Sequence, residues 1–376
     1  MGSCGGDGMI PFLVLFVMAG TAPAQTTAAR APRPLAGAIR WDAWHGGRGE
    51  PGLVVQRSLG PEKWHYRLPF FARILSTSEV SIDGASQEVM DREIAYAARA
   101  GLDYWAFVTY EPSSPMSLGL QHYLASARKL DLRFCLITAP GNFGAKGNSH
   151  DRISRLARLM SDDAYLRVLH GRPVVFVGFI DDDAIHRGWG EIGEFRKAVE
   201  ELRRLARESG AGDPYVVIMD FSPVRAGQLR KDLAADAISS YCTSAHESAA
   251  PFASLAAYAE RFWDAMKGTG SPVLPIVMSG WDRRPRVEHP VPWERSQLPG
   301  VGIEKWYAAP QPDELASHLG HALDWIRSNP ASAPANAALI YAWNENDEGG
   351  WLVPTLAEGA ARLNAIGRVL NKEGGL

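Results

Sequence analysis

The sequence is poor in cysteine, and its few cysteines show no arrangement for metal or redox chemistry. Cys4, Cys135 and Cys242 are the three cysteines among 376 residues. The absence of a Cys-x-x-Cys pair and of zinc-ligand spacing argues against a cysteine-bound zinc site. Cys135 and Cys242 lie far apart in apolar, strand-like runs, which indicates two buried free thiols. Neither a metal nor an organic cofactor is expected.

The chain also has little excess charge of either sign. Its formal net charge is −3, from 39 basic and 42 acidic side chains. Proteins that bind nucleic acids or anionic membranes typically carry strongly basic surfaces, so neither partner is expected. A membrane-spanning run is missing as well, because the apolar stretch over residues 9–18 is too short to cross a bilayer.

That apolar stretch is instead typical of a signal peptide over residues 1–24. Thr21-Ala22-Pro23-Ala24 provides small residues for cleavage after Ala24. The first eight residues contain Asp7 and no Lys or Arg, which a start at Met9 would explain. The sequence therefore predicts a secreted or periplasmic protein that has no membrane segment after signal removal. Residues 25–35, rich in Ala, Pro and Thr, are predicted to form a flexible lead-in.

From residue 36 onward, apolar strand-like runs alternate with helical patterns, and no Pro/Ser-rich linker divides the chain. The predicted strands cover residues 36–41, 102–110, 132–138, 173–179, 215–219, 236–241, 273–278 and 338–343. The predicted helices cover 87–100, 118–129, 153–160, 192–208, 226–233, 255–267, 312–328 and 356–370. This count predicts an α/β fold, a single (β/α)8 TIM barrel over residues 36–376. A doubly wound sheet is the alternative, but no Gly-rich phosphate turn follows the first strand.

The last predicted strand runs into the most informative stretch, Trp343-Asn344-Glu345-Asn346-Asp347-Glu348-Gly349-Gly350-Trp351. Two glutamates three positions apart follow the carboxyl end of a strand, with tryptophan on both sides. Carboxyl groups can transfer protons to and from a glycosidic bond, and indole rings can stack on sugars. The stretch therefore indicates a carbohydrate site. The alternative is an acidic surface turn whose tryptophans belong to the core.

In a barrel, the loops after the strands carry function, and polar and aromatic residues gather there in this sequence. The candidates for substrate binding are Trp41, Asp42, Trp44, His45, Trp64, Tyr110, Tyr241, His246, Trp281, Asp282, Arg286, Asn344 and Trp351. Some have structural alternatives: His246 could simply occupy a loop, and Trp281-Asp282 with Arg283 and Arg286 could form a salt-bridged turn. Asp181-Asp182-Asp183, after the fourth strand, is interpreted as a solvated loop that caps a helix.

The chain resembles the family-99-type glycoside hydrolases (endo-α-mannosidases and endo-α-mannanases) and the related WbsX-type glycosyltransferases of surface-polysaccharide clusters. The specific matches are Gly280-Trp281-Asp282 with Pro285-Arg286, and Asn344-Glu345 with Glu348-Gly349. Further matching pieces run in order across most of the chain, namely Glu93-Ile94-Ala95, Ala100-Gly101-Leu102-Asp103-Tyr104, His170-Gly171-Arg172-Pro173-Val174-Val175-Phe176 and Ala235-Asp236-Ala237-Ile238-Ser239.

The resemblance implies a (β/α)8 barrel that cleaves or transfers glycosides with retention, through a 1,2-anhydro sugar intermediate. Carried over, Glu345 is the base that deprotonates the sugar 2-hydroxyl, and Glu348 is the acid/base at the leaving oxygen. Tyr241, Trp281, Asp282 and Arg286 match sugar-contacting positions. Asn346, Val353 and the segment 40–45 depart from the family pattern. A mannose-type substrate therefore does not follow from this sequence.

Three functions remain open at this point. The leading one is an exported retaining glycoside hydrolase that acts on a polysaccharide or glycan, using Glu345 and Glu348. A WbsX-like glycosyltransferase is the first alternative, which an uncleaved, cytoplasmic protein would favour. A non-catalytic glycan-binding barrel is the second, and it predicts that the carboxyl groups of Glu345 and Glu348 do not face one pocket.

Overall fold

The computed structural model describes residues 33–47, 49–245, 248–294 and 297–373. The predicted signal peptide, most of the predicted lead-in, Cys4 and the candidate residue His246 lie outside these ranges. Cys135 and Cys242 are buried and free, as predicted. No helix in the described ranges is long and apolar enough to cross a membrane.

Eight parallel strands form the centre of the fold. Strands β1 to β8 are Leu35–Arg40, Tyr104–Val108, Arg133–Thr138, Arg172–Val177, Tyr215–Met219, Ala237–Ser239, Ile276–Met278 and Ala337–Tyr341. They pair in the order β7-β8-β1-β2-β3-β4-β5-β6. Strands rich in Val, Ile and aromatic residues and buried on both faces are typical of such a sheet, and every residue of β5 and β8 is buried.

The two ends of this strand order meet and nearly close the barrel. Ile238 in β6 forms a parallel bridge with Val273, just before β7. Its amide donates to Pro272 O at 2.8 Å, and its carbonyl accepts from Leu274 N at 3.0 Å. On the other side of the barrel, Gly37 of β1 is level with Tyr104 of β2 and Leu339 of β8. The predicted (β/α)8 TIM barrel is therefore confirmed.

Helices surround the strands and alternate with them along the chain. Helices α1 to α8 are Gln87–Arg99, Leu118–Ala125, His150–Leu159, Ile192–Glu208, Pro223–Asp232, Phe252–Gly268, Pro312–Ser328 and Ala361–Glu373. In α4, Phe195, Val199 and Leu202 recur at helical spacing and are buried. Ser86 caps α1 by accepting a hydrogen bond from Val89 N at 3.2 Å.

The boundaries differ from the sequence prediction where proline or side-chain bonding interrupts a run. β7 begins at Ile276 rather than at 273, because Pro275 has no amide hydrogen to contribute to the ladder. β6 begins after Asp236, whose carboxylate accepts from Arg172, Arg203 and Val216 N. α8 begins at 361 rather than at 356, because Thr355 and Gly359 first close a turn through reciprocal backbone hydrogen bonds.

Shorter elements lie in the loops, and the largest group follows β1. There the helix Gly52–Ser58, the 3-10 helix Glu62–Arg67 and the antiparallel hairpin of Ala72–Ile74 with Val80–Ile82 form a small hydrophobic cluster of their own. The remaining short elements are Pro115–Ser117, Lys129–Asp131, Pro140–Phe143, Arg167–Val168, Asp182–Trp189, Arg284–Glu288, Asn344–Glu345, Asn346–Glu348 and Gly350–Trp351.

Candidate active site

A large cavity opens at the end of the barrel where the carboxyl ends of the strands meet. Its volume is about 1370 Å³. Every strand contributes to its wall through the loop that follows it, with Trp41, Tyr110, Asn142, Phe179, Phe221, Tyr241, Trp281 and Glu345 after β1 to β8 in turn. Barrels of this kind carry their active sites at this end, so the cavity is the candidate site.

The segment after β8 folds back on itself in a tight turn. Asn344–Glu345 pairs antiparallel with Gly350–Trp351, and the 3-10 turn Asn346–Glu348 lies between them. Gly349 ends that turn with a φ of +86°, in the left-handed region. A Cβ atom on Gly349 would lie 2.5 Å from the backbone nitrogen of Asp282. Glycine is therefore needed here, and the turn is held against the loop after β7.

Glu345 lines the cavity, and only 3 % of its surface is exposed. The hydroxyl of Tyr241 donates to Glu345 Oε1 at 2.7 Å, and Arg286 Nη2 donates to Oε2 at 3.2 Å. Burial, together with the charge of Glu348, raises the pKa of Glu345 to about 8. Glu345 therefore holds a proton at neutral pH.

Glu348 lies on the same cavity but has stronger cationic partners. Its Oε1 accepts from Arg286 Nη1 at 2.5 Å and from Arg283 Nε at 3.1 Å, and its Oε2 accepts from the hydroxyl of Tyr341. Burial acts to raise the pKa of Glu348, but the charges of Arg286 and Arg283 outweigh it, and the pKa lies below its usual value. Glu348 is therefore ionised where Glu345 is protonated.

Arg286 links the acidic groups of the site. Besides Glu345 and Glu348, it pairs with Asp347 at 2.6 Å and with Glu294 at 3.2 Å. Burial acts to lower the pKa of Arg286, but the surrounding carboxylates outweigh it and hold the pKa well above its usual value. The sequence predicts Arg286 as a sugar contact; it does line the cavity, but its guanidinium group is engaged by carboxyl groups.

Aromatic rings form much of the remaining wall. Trp41 donates from Nε1 to the hydroxyl of Tyr110 at 2.7 Å, and its ring meets that of Trp293 edge-on with centroids 5.7 Å apart. The ring of Trp281 packs against Tyr341 at 5.6 Å. Trp41, Tyr110, Tyr241 and Trp281 are thus brought together with Glu345 and Glu348 around one cavity.

Several other predicted contacts lie outside the cavity, in the packing of the loops. Asp282 is ion-paired with Arg67 and with Arg284, the latter at 2.7 Å. Trp351 is 1 % exposed and is covered by Arg362, whose guanidinium carbon lies 3.7 Å from the ring centroid. These side chains fix the loops after β7 and β8 to each other and to α8, and they do not line the cavity.

The predicted residues on the first loop are also buried away from the cavity. Trp44 and Trp64 belong to the small hydrophobic cluster after β1, and His45 is 2 % exposed. Asp42 accepts from Arg40 at 2.8 Å beneath the barrel mouth, and burial raises its pKa to about 6. Asn344 accepts a hydrogen bond from Trp41 N at 2.9 Å, so it positions the tryptophan that does line the cavity.

The structure adds wall residues that are absent from the predicted substrate contacts, among them Asn142, Phe179, Phe221, Arg283, Trp293 and Glu294. Phe179 and Phe221 directly follow β4 and β5, so the rule that function lies after the strands would have found them. The sequence prediction instead placed Phe179 inside the fourth strand. Trp293 and Glu294 lie in an irregular loop, and no pattern in the sequence marks them.

The described ranges contain no group of three His, Cys, Asp or Glu side chains placed to hold a metal ion. The positive charges beside the glutamates come from arginine side chains.

No family profile matches the chain, and no curated protein matches it in sequence. Its structure is similar to a GH99 endo-α-mannosidase from Bacteroides thetaiotaomicron in complex with BIS-TRIS-propane, with a TM-score of 0.56 and 14% identity over 92% of this chain and 98% of that one. A second structure described as this mannosidase gives a TM-score of 0.54 and 14% identity, over 91% and 97%. The resemblance that the motifs indicate is therefore confirmed at the level of the fold.

Proposed function

We propose that the protein is a retaining glycoside hydrolase that acts on a polysaccharide or glycan, with Glu345 and Glu348 as its catalytic groups. The observation that carries the proposal is the convergence of both carboxyl groups on one guanidinium group, Arg286, at the wall of one cavity. Both carboxyl groups lie on the cavity wall, an arrangement that argues against a binding-only barrel. The similarity of the fold to a glycoside hydrolase supports the same class.

The pair holds one proton near neutral pH, which glycoside cleavage requires. The pKa of Glu345 is raised to about 8 and that of Glu348 is lowered, so one carboxyl is an acid while the other is a base. Two carboxyl groups whose surroundings drive their pKa values apart are typical of an acid/base pair. Tyr241 and Tyr341 each donate a hydroxyl hydrogen bond to one member.

In the proposed reaction, the base takes the proton of the sugar 2-hydroxyl, and that oxygen attacks the anomeric carbon. The bond to the leaving oxygen breaks as the acid protonates it, which gives a 1,2-anhydro sugar. Water then attacks the anomeric carbon, and the bond between that carbon and the 2-oxygen breaks. The water loses a proton to the former acid, and the 2-oxygen regains one from the former base. The configuration is retained, and both carboxyl groups return to their starting states.

The resemblance assigns the base role to Glu345 and the acid role to Glu348. In the ligand-free protein the proton rests on Glu345, so this assignment requires the proton to pass to Glu348 when substrate binds. An aryl glycoside with a 2,4-dinitrophenyl leaving group separates the two roles, because it departs without a proton. Under the assignment, the Glu348→Gln variant keeps much of its rate on such a substrate and the Glu345→Gln variant does not. The opposite result would exchange the roles within the same pair.

The primary test is a screen of the purified mature protein on plant, microbial and fungal polysaccharides, read by released reducing ends. Glu348→Gln should lower turnover by on the order of a thousandfold or more, the scale expected when acid/base catalysis and a charge are lost together. Glu345→Gln should also lose activity. Glu79→Gln, a change at an exposed residue outside the cavity, is the matched control and should match the wild type.

Each other outcome points to a different function. Wild-type activity in Glu348→Gln would remove Glu348 from the mechanism. Retention of the protein on an immobilised glycan without release would indicate a binding barrel. Neither release nor retention would favour the WbsX-like transferase, which needs an activated sugar donor.

The proposal includes export to the periplasm or the medium, followed by removal of residues 1–24. N-terminal sequencing of the protein from the culture medium or periplasm should begin at Gln25. An uncleaved protein in the cytoplasm would contradict export and favour the transferase.

A further inference from the structure

The exposed aromatic rings of the protein are concentrated at the cavity. Among the large apolar side chains that are exposed in the described ranges, three are aromatic: Phe179 at 46%, Phe221 at 63% and Trp293 at 41%. All three line the cavity, whereas exposed Ile74, Leu130 and Val224 do not. Single exposed apolar residues are common on protein surfaces, but a set gathered at one opening indicates a binding surface.

Phe179 and Phe221 lie across the barrel mouth from the glutamates. They follow β4 and β5, while Glu345 and Glu348 follow β8, four positions away in the ring of eight strands from β4. Trp41 and Trp293 line the cavity from the loops after β1 and β7, on either side of β8. A carbohydrate chain that passes over the glutamates can therefore reach the two phenylalanines with a unit other than the two joined by the reacting bond.

The loops that carry the two phenylalanines are connected to each other. Arg225 Nη1 donates to Asp220 at 2.5 Å, next to Phe221, and its Nη2 donates to Asp182 at 3.0 Å, in the loop after β4. Asp181 caps the helix Asp182–Trp189 by accepting from Ala184 N at 2.6 Å. These bonds connect the loop that carries Phe221 to the helix that follows Phe179.

Phe179 is also held in an unusual backbone conformation. Its φ is +54°, in the left-handed region that bulky residues rarely occupy. Backbone strain of this kind persists where the surroundings enforce it, and it is concentrated at functional sites. The ring of Phe179 packs on Tyr241 with centroids 5.3 Å apart, and Tyr241 donates to Glu345. Phe179 therefore contacts Tyr241, the residue that hydrogen-bonds to Glu345.

We propose that Phe179 and Phe221 form an aromatic subsite that stacks on the apolar C–H face of a pyranose unit at a distance from the bond being cleaved. This inference rests on the proposed function and extends it to the length of the substrate. Because phenylalanine has no hydrogen-bonding group, the subsite adds affinity for a longer chain without selecting the hydroxyl pattern of the sugar. The enzyme then prefers polymers over short glycosides.

The test compares Phe221→Ala with Val224→Ala as a control. Val224 lies three residues after Phe221, at the start of α5, and is 78% exposed, but it does not line the cavity. The substrates are the panel polysaccharide that gives the largest release and its disaccharide as an aryl glycoside. Phe221→Ala should lower kcat/KM on the polymer roughly tenfold, the loss expected for one stacking contact, and leave the disaccharide unchanged. Phe221→Trp, which keeps an aromatic ring, should retain the wild-type kcat/KM on the polymer. Val224→Ala should change kcat/KM on neither substrate.

Binding without turnover separates this inference from the proposed function. In gels that contain the same polysaccharide, or each panel polysaccharide in turn if none is cleaved, the mobility of Glu348→Gln should be retarded. Adding Phe221→Ala should abolish most of the retardation. The proposed subsite would be overturned if Phe221→Ala lowered kcat/KM equally on both substrates, or if adding it to Glu348→Gln left the retardation unchanged. Neither result would contradict the proposed hydrolysis. Wild-type activity of Glu348→Gln on the polysaccharide would overturn the proposed catalytic pair, whatever Phe221→Ala does.

Discussion

Arg286 holds three buried carboxyl groups of one short turn through a single side chain. It is 4 % exposed and pairs with Glu345, Asp347 and Glu348. Burying a charge is costly unless a partner compensates it. Arg286 therefore offsets the charge of Asp347 and, together with Arg283, that of Glu348, beside the protonated Glu345.

Arg286→Met keeps the length of the side chain and removes the charge, so we expect the free energy of unfolding to fall by about 3–5 kcal/mol at pH 8. The loss should shrink at pH 5, because the orphaned carboxyl groups can then take up protons. Urea denaturation at the two pH values measures both effects. Arg187→Met, at a side chain that is 71% exposed, is the control and should have little effect. An equally large loss in that control would contradict the role assigned to Arg286.

The protonation of the pair predicts the pH dependence of activity. As the pH rises through about 8, Glu345 loses its proton and the pair no longer contains an acid, so kcat/KM should fall. On the acidic side, kcat/KM should fall only below the usual glutamate range, where Glu348 gains a proton and the pair loses its base.

Two tyrosine variants test each limb separately. The hydrogen bond from Tyr241 lowers the pKa of Glu345, so Tyr241→Phe should move the basic limb to higher pH. The bond from Tyr341 lowers the pKa of Glu348, so Tyr341→Phe should move the acidic limb to higher pH. Each variant is the control for the other. If both moved the same limb, the assignment of the two pKa values would be wrong.

At the scale of single residues, the sequence indicates the glutamates because they follow a strand end in a recognisable motif. It does not show which neighbours face inward. In an irregular turn, side-chain direction depends on backbone angles such as the φ of +147° at Gly280 and +86° at Gly349. Asp282 and Trp351, each two residues after one of those glycines, consequently pack within the protein. Trp281 and Glu348, each next to one of the glycines, reach the cavity.

Among the elements, the turn between Glu345 and Trp351 requires glycine at position 349. Gly349→Ala places a methyl group 2.5 Å from Asp282 N, which should displace Glu348 and lower kcat/KM at least tenfold, with a stability loss above about 1 kcal/mol. Gly359→Ala is the matched control, since Gly359 also has a positive φ, +54°, but open space around it. It should lose stability without losing activity, as measured by thermal unfolding and the polysaccharide assay. Full activity in Gly349→Ala would show that the turn tolerates the shift.

The regular helices and strands are predictable because their apolar pattern continues over many residues and their ends carry residues typical of helix and strand ends. The bounds of α4, α7 and β5 match the sequence prediction. The short elements after β1 are not predicted, because the helix Gly52–Ser58 and a three-residue hairpin strand are too short for a period to show. Their small hydrophobic cluster accounts for the burial of Trp44 and Trp64, which the sequence presents as candidate sugar contacts.

At the scale of the whole molecule, the eightfold alternation is enough to predict the barrel, and the barrel rule then locates the site. What the rule cannot supply is the distribution of aromatic rings around the mouth. The loops after β4 and β5 carry exposed Phe179 and Phe221, whereas the loop after β1 folds its tryptophans Trp44 and Trp64 into a core of its own. Loop packing, which has no simple period in sequence, decides between these outcomes.

The place of β1 between β2 and β8 also governs when the barrel can close during synthesis of the chain. A chain emerges from its N-terminus, and β1 must wait about 300 residues for the strand that pairs with its other edge. Until then the barrel stays open, and neither carboxyl group of the pair has been made. Contacts this distant in sequence form slowly. The barrel therefore closes, and the proposed catalytic pair assembles, only after the chain through Glu348 has emerged.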